Sequence, residues 1–275
     1  AIALLALAMP PLSGSAWRFT FAAVPLLAWM AWRHRAWPRL SHRQWFGLAA
    51  GGVLGVAGYA VFFMMALQRV EASRAAVVVT TNPVFTTLLA AWLFKEALNA
   101  RIALGMACAV VGAATVLTHG APWKLFTGEV GLGEWMLIGC IASWVGYTLI
   151  NRRLLAGIDA LTATAVSASL GTLLLWGIAI AFDGASVAWH SIVALDTAGW
   201  AAMLFLAIGS TVLAYAWYFS GVAALGAGTA ASYISLVPVF GVASSALVLG
   251  ERIDTSLAVG GALAILGVVI NNRAR

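Results

Sequence analysis

A block of sequence near the middle of this chain returns near its end with identical spacing. The block is a Pro-Val-Phe tripeptide followed at fixed distances by one glutamate and two glycines. The first copy is Pro83, Val84, Phe85, Glu96, Gly105 and Gly112, and the second is Pro238, Val239, Phe240, Glu251, Gly260 and Gly267. A shorter Tyr-Ala-x-x-Phe match, from Tyr59 and from Tyr215, extends the similarity. The chain is therefore a tandem duplication of one structural unit.

The composition places that unit in a membrane. Apolar residues make up 63% of the chain and charged residues 9%, whereas soluble domains carry about 25% charged residues. A water-soluble protein of 275 residues could not cover its surface with so few charges. We therefore expect an all-α polytopic membrane protein, because a helix satisfies its own backbone hydrogen bonds in lipid.

Ten apolar segments are candidates for membrane-spanning helices, which need about 20 residues each. The first is incomplete in this chain and ends near Met9. The others cover about 15–32, 45–67, 75–94, 102–118, 135–151, 160–182, 198–220, 229–249 and 256–271. The charge of the intervening loops predicts their orientation. Ten Lys and Arg residues fall on one side of the alternating spans and five on the other, which predicts a cytoplasmic C-terminus.

The order of the segments gives the duplication a direction. The two copies of the block lie on spans 4–5 and 9–10, five spans apart, and an odd separation means that they cross the membrane in opposite directions. The sequence thus predicts two inverted five-helix repeats, with residues 1–119 as the first, 120–134 as an extracytoplasmic linker and 135–275 as the second. Internal symmetry of this kind is common in transporters, whose substrate site lies between the repeats.

Several motifs resemble those of the drug/metabolite transporter superfamily, in particular its EamA-domain members. They are Met9-Pro10-Pro11 followed by Trp17-Arg18-Phe19, the two Pro-Val-Phe and Glu blocks, and Ser143-Trp144 at span 6. The aromatic content is similar to that of the YddG-type aromatic amino acid exporters. The resemblance implies an inner-membrane carrier that moves small metabolites out of the cell by alternating access.

Aromatic and polar residues within the spans are candidates for a substrate cavity. The candidates are Tyr59, Phe63, Thr81, Asn82, Trp144, Tyr147, Tyr215, Tyr218, Tyr233 and Ser235. Rings would line an apolar cavity in which hydroxyl and indole N–H groups orient an aromatic or amphipathic solute. The alternative is that these rings pack helices together or anchor them at the membrane interface.

The repeated prolines are candidates for gating hinges. Pro83 and Pro238 each remove one backbone hydrogen bond and are expected to kink their helix. Thr81 and Asn82 precede Pro83 and can satisfy the freed backbone group. The alternative is a pair of static kinks that serve packing.

The positions of the charged residues indicate mainly structural roles. The carboxylates fall at span ends or in loops, where Asn99 and Asp254 are predicted helix N-caps and Glu96 and Glu251 are expected to cap or pair locally. Arg18 can either receive a substrate carboxylate or extend to the membrane interface. With no carboxylate at mid-span, either transport is not proton-driven or its coupling group lies in the missing part of span 1.

Other classes of function have less support. All four histidines are predicted in loops, so no intramembrane nucleophile and base, metal site or cofactor is expected, and no nucleic acid is implied. The expected partners are a small-molecule substrate and the lipid bilayer. The glycine-rich spans 5 and 10 are also candidates for a homodimer surface. Three alternatives stay open. The protein could export cationic drugs or quaternary amines, which bind aromatic cages; it could export metabolites other than amino acids; or it could be a scaffold that transports nothing.

Overall fold

The structure, a computed structural model, describes residues 9–33, 40–95, 99–121, 123–124, 131–154, 157–214, 217 and 236–273. Within these residues the regular secondary structure is helical, in agreement with the predicted all-α class. The helices are α1 (Pro11–Arg33), α2 (His42–Leu67), α3 (Ala72–Val79), α4 (Asn82–Phe94), α5 (Ala100–Leu117), α6 (Leu132–Leu154), α7 (Ala160–Phe182), α8 (Ala185–Val193), α9 (Thr197–Leu213), α10 (Val237–Leu249) and α11 (Thr255–Arg273).

Five helical segments of the described chain are long and apolar enough to cross a membrane. They are His42–Leu67, Ala72–Phe94, Ala100–Leu117, Leu132–Asn151 and Ala160–Phe182. Helices α8 and α9 add a sixth if this pair, bent by 101°, forms one span. Helix α1 has a similar length but is less apolar, and α10 and α11 are shorter apolar helices. This is the pattern of a multi-pass membrane protein, while the count of ten spans stays a prediction.

Helix α8 lies where the sequence predicts a loop between the segments 160–182 and 198–220. Helix α7 ends at Phe182, and Gly184 redirects the chain with a φ of 87° before α8 begins. The placement of His190 in a loop is therefore wrong, since this residue lies in the last turn of α8. A helix of 9 residues is too short to be found by a search for apolar segments of spanning length.

Contacts divide the chain into two packing units. The first packing unit comprises Ala1–Gln68 and Ala142–Phe219, and the second comprises Arg69–Ile141 and Ser220–Arg275. Each packing unit takes one part from either half of the sequence. Packing units and predicted repeats are thus different divisions of the chain, and the repeat boundaries at 119 and 135 stay a prediction.

In the first packing unit, α1 and α7 pack side by side in opposite directions. The backbone N–H and the hydroxyl of Ser13 donate to Asp183 Oδ2 over 3.1 and 2.6 Å. About two turns further along α1, Thr20 Oγ1 accepts a 2.8 Å hydrogen bond from Trp176 Nε1. Still further along α1, Leu26 and Met30 join Leu161 and Ala165 in one hydrophobic cluster. Residues further along α1 thus contact residues earlier in α7, which means that the two helices are antiparallel.

Glycines bring α2 close to α7 in the same packing unit. A Cβ atom on Gly52 would lie 2.9 Å from the backbone nitrogen of Gly171 and 2.9 Å from the carbonyl oxygen of Ser167. Helices α2 and α7 are therefore in close backbone contact at Gly52. Such small residues allow helix backbones to approach within a membrane.

In the second packing unit, the duplicated glycines pack α5 against α11. A Cβ on Gly105 would lie 2.8 Å from the carbonyl oxygen of Gly267, and one on Gly112 would lie 2.6 Å from that of Gly260. The first glycine of one copy thus meets the second glycine of the other, so α5 and α11 run antiparallel. The glycine faces of both helices are used within the chain, and a homodimer stays a prediction.

Candidate substrate cavity

A cavity of about 200 Å³ lies within the first packing unit. Five helices contribute to its wall, namely α1, α2, α6, α7 and α9. The lining residues are Arg18, Phe19, Leu26, Gly55, Val56, Tyr59, Trp144, Tyr147, Thr164, Ser167, Ala168, Ser210 and Thr211. On α1, α2, α6 and α7 the lining residues include pairs that are three, four or twice four positions apart, and such pairs lie on one face of the helix.

Four aromatic rings predicted as cavity residues form a continuous series. Phe63 stacks on Tyr59 with ring centroids 5.8 Å apart. The ring of Tyr59 contacts Trp144 at 5.2 Å, and Trp144 contacts Tyr147 at 5.4 Å. Tyr59, Trp144 and Tyr147 line the cavity, whereas Phe63 supports Tyr59 from behind and is not part of the lining.

The absence of a side chain at Gly55 allows Tyr147 to take its position. A Cβ on Gly55 would lie 2.4 Å from Tyr147 Cδ2 and 2.5 Å from Cγ, closer than atoms can approach without displacement. Gly55 lies in the stretch Gly52–Gly58, which has π-helical hydrogen bonding. The ring of Tyr147 therefore packs directly on the backbone of α2.

The polar part of the wall consists of hydroxyl groups and one cation. Ser210 and Thr211 donate to the carbonyl oxygen of Leu206 over 2.8 and 2.9 Å, and Ser167 donates to that of Leu48 over 3.1 Å. Each of these hydroxyl groups already donates its hydrogen bond to a backbone carbonyl, and its oxygen can still accept a hydrogen bond. The charged group is Arg18, whose guanidinium Cζ lies 4.8 Å from the centroid of Phe19.

The remaining predicted cavity residues fall into two groups, two described residues outside this lining and four residues that the structure does not describe. Thr81 and Asn82 are buried in the second packing unit. Tyr215, Tyr218, Tyr233 and Ser235 lie outside the described residues. The cavity assignment of these six residues stays a prediction.

The repeated prolines occupy the first turn of a helix. Pro83 is at the start of α4, and two turn residues, Thr80 and Thr81, separate α3 from α4 while keeping right-handed helical φ and ψ angles. Pro238 lies in the first turn of α10. In the first turn a backbone N–H has no helical partner in any case, so the proline costs no hydrogen bond there. Helices α3 and α4 together still form one apolar segment, Ala72–Phe94, and the kinks and hinges at Pro83 and Pro238 stay a prediction.

Threonine side chains satisfy carbonyl groups at the turn between α3 and α4. Thr80 and Thr81 donate to the carbonyl oxygens of Val77 and Val78, each over 2.6 Å. The carbonyl group that Pro83 leaves without an N–H partner belongs to Val79, four residues before it, so the prediction that Thr81 or Asn82 satisfies that group stays a prediction. The Oδ1 atom of Asn82 is buried and has no hydrogen-bond partner within the described chain.

Side-chain oxygen atoms of Asn, Asp and Glu near the helix ends act as caps. Asn99 and Asp254 accept the backbone N–H groups of Ile102 and Leu257, each over 2.8 Å, which confirms both predicted N-caps. Glu251 instead caps a distant helix, since its two oxygens accept the N–H groups of Ala72 and Ser73 at the start of α3. Its expected local capping role is therefore wrong, because the fold brings the start of α3 to it.

A charged cluster that the sequence analysis missed surrounds Arg74 in the second packing unit. Arg74 is 3% exposed, pairs with Glu71 over 2.9 Å, contacts Asp254 and donates to the carbonyl oxygen of Val116 over 2.8 Å. The pKa of Asp254 lies below its usual value, first because it accepts the N–H of Leu257 and further because of Ser256 and Arg74. Nothing in the local sequence distinguishes Arg74 from a loop arginine.

Some cavity residues were also missed, namely Thr164, Ser167, Ser210 and Thr211. Their hydroxyls carry no sequence signal, because Ser and Thr commonly bond to their own helix backbone. Arg18 had a signal, as the one basic residue within an apolar span. Its Nε atom is buried, which differs from the interface position that was weighed for it. The neighbouring Trp17 donates to the carbonyl oxygen of Ala188 over 2.8 Å, so α8, which is distant in sequence, packs against this part of α1.

Several known proteins are similar to this chain in fold or in sequence. A chain in a solved crystal structure aligns with a TM-score of 0.63 at 22% identity, over 98% of this chain and 91% of that chain, which is a likeness of fold. The uncharacterized transporter YyaM of Bacillus subtilis (strain 168) is 26% identical over 259 residues, 94% of this chain and 83% of the relative. A probable amino-acid metabolite efflux pump of Escherichia coli (strain K12) is 26% identical over 267 residues, 96% and 86% of the two chains.

A family profile matches both halves of the chain. The matched residues are 2–118 and 131–273, and the profile is that of the EamA-like transporter family. The match covers most of the sequence and includes every helix that lines the cavity. The chain, with its apolar helices and its aromatic cavity, thus belongs to the EamA-like transporter family.

Proposed function

We propose that this protein exports small metabolites, most of all aromatic or other amphipathic amino acids, across the inner membrane. The observation that carries the proposal is the cavity itself, in which Tyr59, Trp144 and Tyr147 face hydroxyl groups and one guanidinium. Such a wall offers an apolar surface to an amino acid side chain and polar groups to its charged end. The similarity to a probable amino-acid metabolite efflux pump supports the same class of solute.

The mechanism proposed is alternating access by two inverted five-helix repeats, residues 1–119 and 135–275. Two antiparallel helix pairs support it. Helices α1 and α7 correspond to predicted spans 2 and 7, and α5 and α11 correspond to spans 5 and 10. Each pair is five spans apart, so opposite directions are what inverted repeats require. In this proposal Pro83 and Pro238, at the starts of α4 and α10, serve as hinges, and the C-terminus is cytoplasmic.

Efflux of quaternary amines has less support. An aromatic cage for an organic cation needs negative or neutral polar groups around it. Among the described residues that line this cavity, the charged one is a cation, Arg18. A positive solute would be repelled from this wall in a medium of low dielectric constant.

Transport in proteoliposomes tests the proposal. Vesicles that contain the purified protein and an excess of unlabelled phenylalanine are expected to accumulate labelled phenylalanine faster than protein-free vesicles. Trp144→Ala is expected to reduce the rate at least about tenfold, because the substitution removes a buried aromatic contact of the wall. Trp32→Ala is the matched control, since Trp32 is 84% exposed and lies outside the lining.

Two results would contradict the proposal. One is the absence of flux for every aromatic amino acid while another class of solute moves. The other is an equal rate in the Trp144 and Trp32 variants, which would separate transport from this cavity.

A further inference from the structure

Arg18 brings a cation with one unpaired nitrogen atom into the cavity wall. Its Nε atom is buried and has no hydrogen-bond partner within the described part of the chain. A buried polar group without a partner costs free energy, and a buried charge costs more. Such groups are rarely left unpaired in native proteins unless a ligand, an ion or water serves as the partner.

The described part of the wall does not supply a counter-charge. The other polar lining residues are Thr164, Ser167, Ser210, Thr211 and the two tyrosines, and none of them is acidic. The aspartates described in the first packing unit are engaged elsewhere, since Asp159, Asp183 and Asp196 each accept a backbone N–H at the start of a helix. Within the described wall, a bound anionic solute is therefore the partner that would satisfy Arg18.

We infer that Arg18 binds the carboxylate of the transported solute, and that the protein accordingly selects carboxylate-bearing over purely cationic solutes. A guanidinium presents its N–H donors in a planar fork that matches the two oxygens of a carboxylate. The hydroxyl oxygens of Ser210 and Thr211, whose protons are donated to Leu206, accept hydrogen bonds from a donor such as an ammonium group. The rings of Tyr59 and Trp144 then face the side chain of the solute.

This inference rests on the proposed use of the cavity for transport, and it narrows the class of substrate. An amino acid satisfies both polar regions of the wall at once. A carboxylic acid without an amino group satisfies Arg18 alone. An amine without a carboxylate leaves Arg18 unpaired, and a buried unpaired charge is the most costly of the three outcomes.

Binding of three related solutes to the purified protein tests the inference. The solutes are labelled phenylalanine, 3-phenylpropionate, which lacks the amino group, and phenethylamine, which lacks the carboxylate. In the wild-type protein, phenylalanine and 3-phenylpropionate are expected to bind at least about tenfold more tightly than phenethylamine, because each makes charge-assisted hydrogen bonds to Arg18.

Substitution of Arg18 should abolish that preference. Arg18→Gln is expected to weaken both carboxylate solutes at least about tenfold and to leave phenethylamine unchanged or tighter. Arg18→Lys keeps the charge without the fork and should fall between the two. The matched control is Arg43→Gln, because Arg43 is exposed and lies outside the lining. Each variant is compared with the wild type for its thermal unfolding temperature.

Two outcomes would overturn the inference. One is an Arg18→Gln protein that is folded and keeps the carboxylate preference. The other needs no variant: wild-type protein that binds phenethylamine more tightly than 3-phenylpropionate. The two proposals also fail separately, since Arg18-dependent binding of 3-phenylpropionate without any amino acid flux would contradict the proposed function and support the role of Arg18.

Discussion

Gly55 is the residue on which the shape of the cavity wall most directly depends. The ring of Tyr147 lies where the Cβ atom of any other residue at position 55 would be. Tyr147 in turn contacts Trp144, and Trp144 contacts Tyr59. The lack of a Cβ atom at position 55 therefore leaves room for the ring of Tyr147, and through it affects the positions of the Trp144 and Tyr59 rings.

Gly55→Ala is predicted to impair transport more than it impairs folding. The added methyl group must displace Tyr147, and overpacking of this kind costs about 1–3 kcal/mol. Initial rates of phenylalanine exchange in proteoliposomes should fall at least about tenfold, because the displaced ring enters the cavity. Gly177→Ala is the control, since a Cβ on Gly177 has open space around it. An unchanged exchange rate in Gly55→Ala would show that the position of Tyr147 is not needed.

At the scale of helices, the contact between α5 and α11 depends on glycines that the duplication provides twice. Gly105 and Gly112 on one helix meet Gly267 and Gly260 on the other with backbone atoms in direct proximity. Lipid is as apolar as the helices, so burial of apolar surface gives little advantage there, and close packing has to supply the association.

Gly112→Ala is predicted to separate this pair. Its Cβ would lie 2.4 Å from the backbone nitrogen of Ala264, and backbone atoms cannot move aside as a flexible side chain can. The expected loss of stability is about 1–3 kcal/mol, measured by thermal or denaturant unfolding in detergent.

Gly177→Ala serves as the matched control for that substitution, because it adds the same methyl group to a membrane helix without a contact. It should be neutral or slightly stabilising, since alanine is the better helix former by about 1 kcal/mol. Equal stability of the two variants would contradict the proposed role of the contact.

For the whole molecule, the direction of the two repeats is what determines how transport can work. Inverted repeats place equivalent ends on opposite sides of the membrane, so one gate can close while the other opens. Parallel repeats would place both ends on the same side. The linker after the first half and the C-terminus therefore report on the topology.

Cysteine labelling at those two positions is predicted to give opposite results. In a background without Cys108 and Cys140, Ala121→Cys should react with a membrane-impermeant maleimide in intact cells. Ala274→Cys should react only after the cells are opened, because the basic loops place that side in the cytoplasm. Labelling of both positions from the same side would contradict the inverted arrangement.

The helices and their caps were largely predictable from the sequence, because they depend on neighbouring residues. Asn99 and Asp254 precede apolar segments, and both cap the following helix as predicted. Helix α8 was missed since its 9 residues are too few to resemble a span. Glu251 was assigned a local role because its partners, Ala72 and Ser73, are distant in sequence and carry no motif.

The aromatic residues of the cavity could be predicted from the sequence, whereas its hydroxyl residues could not. Tyr59, Trp144 and Tyr147 could be selected from the sequence because large aromatic residues at helical spacing are rare and conspicuous. Ser210 and Thr211 could not be selected, since hydroxyl residues satisfy themselves on their own helix and are common in membrane spans.

The sequence by itself determined that this protein is a duplicated, helical membrane transporter, because apolar length, charge content and repeated motifs are properties of the chain alone. The tertiary structure decided which helix faces meet. It made the repeated glycines into one antiparallel contact, placed Tyr147 on Gly55, and turned Arg18 from an arginine near the end of a span into a buried cation at a cavity. Those outcomes depend on contacts between residues far apart in the chain, which no local pattern encodes.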